Sequence, residues 1–126
     1  MNKSHPNLVL LSQLDVHKLD ASADLFAEGF IWHYFNPKLP DIEGDYVGVT
    51  GLKKFVQGLH GQTAGTFEVE PVNAIPIGDE LILVHVRNSM QYNGESISID
   101  AAVIWRIVDG QFAEAWDVPS AFTQAV

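Results

Sequence analysis

Two dipeptides, Asn93-Gly94 and Asp109-Gly110, constrain this chain more than any other feature. A type I′ hairpin turn needs φ above zero at both central positions, which Asn, Asp and Gly reach at little cost. Each dipeptide separates long stretches rich in aliphatic and β-branched residues, so the second half reads as an antiparallel meander. Its strands are expected over Thr66 to Ile75, Glu80 to Tyr92, Glu95 to Val108 and Gln111 to Val118.

The first half has a different period. From Pro6 to Leu19, Leu8, Leu11, Leu14 and Leu19 recur at roughly helical spacing, with Pro6 suited to a first turn. Asp20 can cap a second short helix through Ala21, Ala23, Leu25, Phe26 and Ala27 that Gly29 ends, and Phe30 to Phe35 reads as a strand. Asn36 to Asp45, with Pro37, Pro40 and Gly44, is a loop long enough to be a flap over a pocket or simply a connector. Thr50 can cap a third helix whose Leu52, Phe55, Val56 and Leu59 share one face. Helices followed by a meander indicate an α+β class, and 126 residues suit a single domain spanning 1–126.

Two-residue turns also fix cross-strand partners. Counting back from Tyr92 and Glu95 pairs Arg87 with Asp100, His85 with Ala102 and Leu83 with Ile104. Counting on from Val108 and Gln111 pairs Ala102 with Asp117, Ile104 with Ala115 and Arg106 with Ala113. Period-2 alternation then gathers His85, Arg87, Asp100 and Asp117 on one face around Ala102, with space beside Ala113 and Ala115. The other face carries Val84, Val86, Met90, Ile97, Ile99, Val103, Trp105, Phe112, Trp116 and Val118, too apolar to be left in water.

Two arrangements satisfy this pattern. In one, the apolar face packs on the helices, the polar face is solvated, and Arg87 and Asp100 form an ordinary surface pair. In the other, the polar face lines a pocket and the apolar face makes a dimer interface. Composition by itself favours the first.

A net charge of -9 would repel a phosphate backbone, so nucleic acid is not an expected partner. The absence of cysteine removes disulfides, thiolate catalysis and Cys-based zinc sites. Leu8 to Leu11 is too short an apolar run for a signal or a membrane span, which makes a cytoplasmic protein the expectation. His5, His17 and His60 lack metal-ligand spacing, so no metal is expected.

Four stretches, LFAEGFIWH (25–33), YVGVTGLKKF (46–55), GTFEVE (65–70) and AVIWRIVDGQFAEAWDVPSAF (102–122), resemble in order and spacing the SnoaL-like polyketide cyclases. These belong to the broader nuclear transport factor 2-like, cystatin-like superfamily, with ketosteroid isomerase and limonene epoxide hydrolase. The resemblance implies a cone-shaped fold, with N-terminal helices packed in a strongly curved antiparallel sheet, an internal pocket, and a homodimer through the outer sheet face. It thereby supports the pocket arrangement.

In the cyclases an aspartate beside a final-strand tryptophan, resembling Asp117 in Trp116-Asp117, is the acid/base of an aldol ring closure. Asp117 is accordingly the first catalytic candidate, against a reading as a surface aspartate near a strand end. His85 is a candidate proton relay and Arg87 a candidate stabiliser of an enolate oxygen, each with a structural alternative. Asp100, Ala102, Ile104 and Ala115 would line the pocket, and Trp32, His33 and Tyr34 its aromatic mouth, though alternation must turn some of these outward. The implied ligand is a small hydrophobic or aromatic carbonyl compound, handled without a cofactor by aldol cyclisation or isomerisation. A noncatalytic ligand-binding or dimerising module is the alternative, and epoxide hydrolysis a weaker one. The chain departs from ketosteroid isomerase, whose base would fall near His33 or Tyr34 and whose oxyanion acid near Val103. It departs from limonene epoxide hydrolase too, because Ser89 stands where its Arg-x-Asp motif needs the aspartate.

Overall fold

The computed structural model describes residues 5–120, so Ala121 and Phe122 of the last resembling stretch lie outside the described residues. Helix α1 spans Pro6–Ser12 and a 3-10 helix spans Leu19–Leu25. Strands β1 (Phe26–Tyr34) and β2 (Gly44–Val47) follow, then helix α2 (Gly48–Gln62). Strands β3 (Glu68–Ile77), β4 (Leu81–Tyr92), β5 (Glu95–Val108) and β6 (Gln111–Pro119) complete the order.

The expected second helix stops short of Phe26. That residue is already extended and buried, and it pairs with Phe112, because its ring fills the core against Phe30 at 4.8 Å. The two turns carry the backbone their residues imply, with φ of 52° and 81° at Asn93 and Gly94, and 53° and 75° at Asp109 and Gly110.

The six strands form one sheet in the order β2-β1-β6-β5-β4-β3, with β1 parallel to β6 and the other neighbours antiparallel. This corrects the expectation of a strongly curved, wholly antiparallel cone. The sheet is open, with β2 and β3 as free edges, and β3 is exposed at successive positions from Glu68 to Asn73, where a sheet wrapped around its helices would bury alternate ones. Pro71 and Pro76 suit such an edge, since neither can donate to a further strand.

Helix α2 buries Leu52, Phe55 and Leu59 against β1 and β2, and α1 lies over β3 and β4. The close approach of α2 depends on Gly51, where a Cβ would stand 2.9 Å from the Tyr46 carbonyl carbon. The helix-covered inner face contributes Phe30, Trp32, Ile82, Val84, Val103, Trp105 and Phe112 to the core. The apolar face of the meander is therefore core, as in the first of the two arrangements, and is not a dimer surface. No helix among the described residues is long and apolar enough to cross a membrane.

Candidate active site

Pairing along the β4–β5 hairpin follows the counted register throughout, with Arg87 opposite Asp100, His85 opposite Ala102 and Leu83 opposite Ile104. The β5–β6 hairpin begins in register at Val108 and Gln111 and then slips. Ile107 pairs with Phe112 but Arg106 with Glu114, leaving Ala113 as an extra residue in β6. Beyond this bulge Trp105 faces Ala115, Val103 faces Asp117 and Ala102 faces Val118.

The bulge has a physical reason. An unbroken alternation would put Glu114 between Phe112 and Trp116 on the core face, an acid in the middle of the sheet. The slip turns Glu114 and Trp116 outward and sets the small Ala115, fully buried, beside Trp105. Its consequence is that Asp117 enters the interior.

The four-residue cluster expected on one face is thus divided. His85, Arg87 and Asp100 lie on the outer, solvated face: the His85 Nε2 and Arg87 Nε atoms contact Asp100 Oδ1 at 2.9 and 3.2 Å, and Glu70 lies 4.0 Å from Arg87 Nη1. The hydrogen bond from His85, then the Arg87 charge, holds the Asp100 carboxyl below its usual range. Ala102 and Ile104, expected to line the pocket, share that outer face, whereas Ala115 is inside. A polar groove of about 570 Å³ near the end of the β4–β5 hairpin, lined by Thr66, Glu68, Ser89, Gln91, Ser96 and Ser98 among others, lies apart from Asp117.

Strand β1 is divided in the same way. Trp32 and Tyr34 point inward; His33 points outward between Asp45 and Glu114, at 2.7 Å from Nδ1 and 2.6 Å from Nε2, and stacks on Trp116 at 5.5 Å. Burial disfavours the charged His33 ring, but hydrogen bonds to Glu114 and Asp45 outweigh it and raise its pKa above 6.5.

On the inner face, Phe55 of α2 is the hub of an aromatic pocket, with ring centroids of Tyr34, Tyr46 and Trp32 at 4.6, 5.3 and 5.4 Å, and Trp105 5.4 Å from Trp32. Phe55, Tyr46 and Trp105 were absent from the sequence-based site, because only the packing of α2 on β1 and β2 brings them together. Asp117 sits beside this pocket, opposite Tyr34 across the parallel β1–β6 pairing, and its carbonyl accepts from the Phe35 N–H at 3.1 Å. The Asn36 amide donates to Tyr34 Oη at 2.8 Å, and burial raises the phenol to about 12, so it stays protonated near neutral pH.

Asp117 is 7% exposed, its Oδ1 has no hydrogen-bond partner, and burial pushes its carboxyl up from 3.8 to about 7. Trp32 Nε1 and Asn88 Oδ1 are the other buried side-chain polar atoms without a partner among the described residues. A carboxyl of this kind can take and return a proton near neutral pH, in a setting where charge is weakly screened.

The sequence model of the SnoaL-like domain matches residues 10–115. No curated protein matches the sequence. Among solved structures, Bal32a from a soil-derived mobile gene cassette is 17% identical, with a TM-score of 0.75 over 94% of this chain and 92% of its own. TerC, co-crystallised with polyporic acid, is 16% identical, with a TM-score of 0.75 over 90% of each chain. A putative polyketide cyclase from Acidithiobacillus ferrooxidans is also 16% identical, with a TM-score of 0.69 over 95% of this chain and 92% of its own. At these identities the likeness is one of fold.

Proposed function

Because the chain belongs to the SnoaL-like domain family, we propose that it binds a small hydrophobic carbonyl compound and moves a proton beside that carbonyl with Asp117. The observation that carries this reading is the buried Asp117 carboxyl, unpartnered at Oδ1 and raised to about 7, beside an aromatic pocket. The similarity in fold to a putative polyketide cyclase and to a protein crystallised with polyporic acid supports a flat, oxygenated ligand.

In this reading ionised Asp117 takes a proton from the carbon next to the carbonyl. The C–H electron pair becomes a C=C bond, and the carbonyl π pair moves onto oxygen as an enolate. The enolate carbon then attacks a second carbonyl of the same molecule, whose π pair becomes an alkoxide that takes the proton back from Asp117, closing a ring by aldol addition; in an isomerisation Asp117 instead returns the proton to another carbon of the enolate system. Neither course needs a cofactor. His85 and Arg87, on the opposite face, take no part.

Assembly as a homodimer through the outer sheet face belongs to the same reading, supported by exposed Ile75, Ile77 and Val118 on that face. Sedimentation of a one-chain mass at high concentration would remove it.

Carboxyl ¹³C NMR tests the central claim. Asp117 is expected to titrate near 7, and its signal to vanish in Asp117→Asn. Titration near 3.8 would overturn the acid/base reading.

A further inference from the structure

An enolate formed in a dry pocket needs a hydrogen-bond donor at its oxygen, since proton removal moves one negative charge from Asp117 to that atom. The sequence offered Arg87 for this role, and the fold places Arg87 on the far side of the sheet. Near Asp117, Tyr34 Oη accepts from the Asn36 amide and keeps its own proton to donate.

Trp32 is the other donor. Its side chain is buried, with the residue 6% exposed, and its Nε1–H has no acceptor. An unmet buried donor costs about 1 to 3 kcal/mol, so folded chains seldom retain one without a use. The ring is held in place by Phe55 and Trp105, each with its centroid 5.4 Å away.

Register relates this donor to the unpartnered acceptor. Trp32 pairs with Ala115 and Tyr34 with Asp117 on adjacent strands, so Trp32 and Asp117 are diagonal neighbours on the inner face, with backbones about 7–8 Å apart. One orphan donates and the other accepts. A ligand oxygen that accepts from an N–H while it, or the carbon beside its own carbon, gives a proton to a carboxylate would satisfy both.

We propose that the Trp32 indole N–H is the donor to the substrate's carbonyl oxygen and, after proton removal, to the enolate oxygen, making Trp32 a second catalytic residue beside Asp117. This rests on the Asp117 reading and adds a substrate requirement. The oxygen that becomes enolic must be reachable by Trp32 while the acidic C–H reaches Asp117, as in a planar enolisable ketone or its aromatic counterpart, a fused phenol.

2-Naphthol is a suitable probe, because its single oxygen both donates and accepts, and naphthalene is the control of equal shape without it. The indole N–H signals of Trp32, Trp105 and Trp116 can be assigned by triple-resonance NMR in the unaltered protein. Trp32 Nε1–H is expected to move downfield with 2-naphthol but not with naphthalene. Replacing Trp32 by benzothienylalanine, which keeps the shape and removes the N–H, is expected to weaken 2-naphthol binding about 10-fold and leave naphthalene binding unchanged. Trp32→Phe should show the same selectivity if it folds.

An unmoved Trp32 signal while 2-naphthol binds and perturbs Asp117 overturns the Trp32 assignment and leaves the Asp117 reading standing. Failure of 2-naphthol to bind overturns the Trp32 assignment as well, and the carboxyl titration of Asp117 then decides separately whether the base reading survives.

Discussion

Asp117 stands opposite Val103 on the helix-covered face of the sheet, one residue out of step with the Ala102 partner that an unbroken ladder from Asp109-Gly110 dictates. Ala113 accounts for the difference. Removing it should leave a regular ladder in which Glu114 still faces Arg106, Ala115 faces Trp105 and Asp117 faces Val103, because the deleted residue is the unpaired one. Deletion of Ala113 is therefore expected to keep the near-neutral carboxyl titration of Asp117 and to change stability only modestly, since every buried side chain keeps its face. Loss of the Asp117 titration near 7 in this variant would show that Ala113 is not the residue that the ladder leaves unpaired.

The raised Asp117 carboxyl makes stability pH-dependent with a defined sign. The folded state holds this proton up to about 7 whereas the unfolded chain releases it near 3.8, so the contribution is full below 3.8 and is lost as pH rises toward 7. The span corresponds to roughly 4 kcal/mol at 1.36 kcal/mol per unit. Asp117→Asn removes this dependence. Urea unfolding from pH 4 to 8 should show the wild type losing stability and the variant losing much less, leaving the variant the more stable of the two at pH 8.

His33 contributes with the same sign for a different reason. Its protonated ring is held by Glu114 and Asp45, so its share of stability is present below 6.5 and is lost as pH rises through its higher folded value. Glu114→Gln should lower the His33 pKa, read from the ring Cε1 proton by NMR. No change would mean that the contact with Glu114 does not hold the charge.

Arg87→Ala and His85→Ala test the division of faces directly. Both residues are partners of Asp100 on a solvated surface, where such pairs contribute little. Each substitution should change stability by less than about 0.5 kcal/mol and leave 2-naphthol affinity unaltered. A 10-fold loss of affinity in either variant would return that residue to the site.

Gly51→Ala places a methyl 2.9 Å from the Tyr46 carbonyl carbon, at the point where α2 meets β2. The expected cost is about 1–3 kcal/mol in urea unfolding. Because α2 carries Phe55, ligand affinity should fall with it. An alanine variant of full stability and affinity would show that α2 can draw back without cost.

Much of this molecule was legible because its signals are local. Asn93-Gly94 and Asp109-Gly110 specify their own backbone, and with it the whole β4–β5 register from Tyr92 and Glu95 to Leu83 and Ile104. The alternation of Val84, Val86, Val103 and Trp105 marked an apolar face, which the family resemblance assigned to a dimer interface and the helices instead cover, and Leu52, Phe55 and Leu59 marked the buried side of α2. Glu114, an acid within the apolar alternation Phe112-x-Glu114-x-Trp116, was the one sequence sign that the β6 ladder could not run unbroken.

Only tertiary structure decided the rest. Where β6 takes up its extra residue depends on which of Glu114 and Asp117 is cheaper to bury. Glu114 has an outward partner in His33 of β1, a contact that exists only once β1 docks parallel to β6. The openness of the sheet and the meeting of Phe55, Trp32, Tyr34 and Trp105 likewise arise between segments far apart in sequence. A hairpin turn fixes the residues beside it; the face on which a carboxylate ends, and hence its proton affinity, is fixed by everything that packs around it.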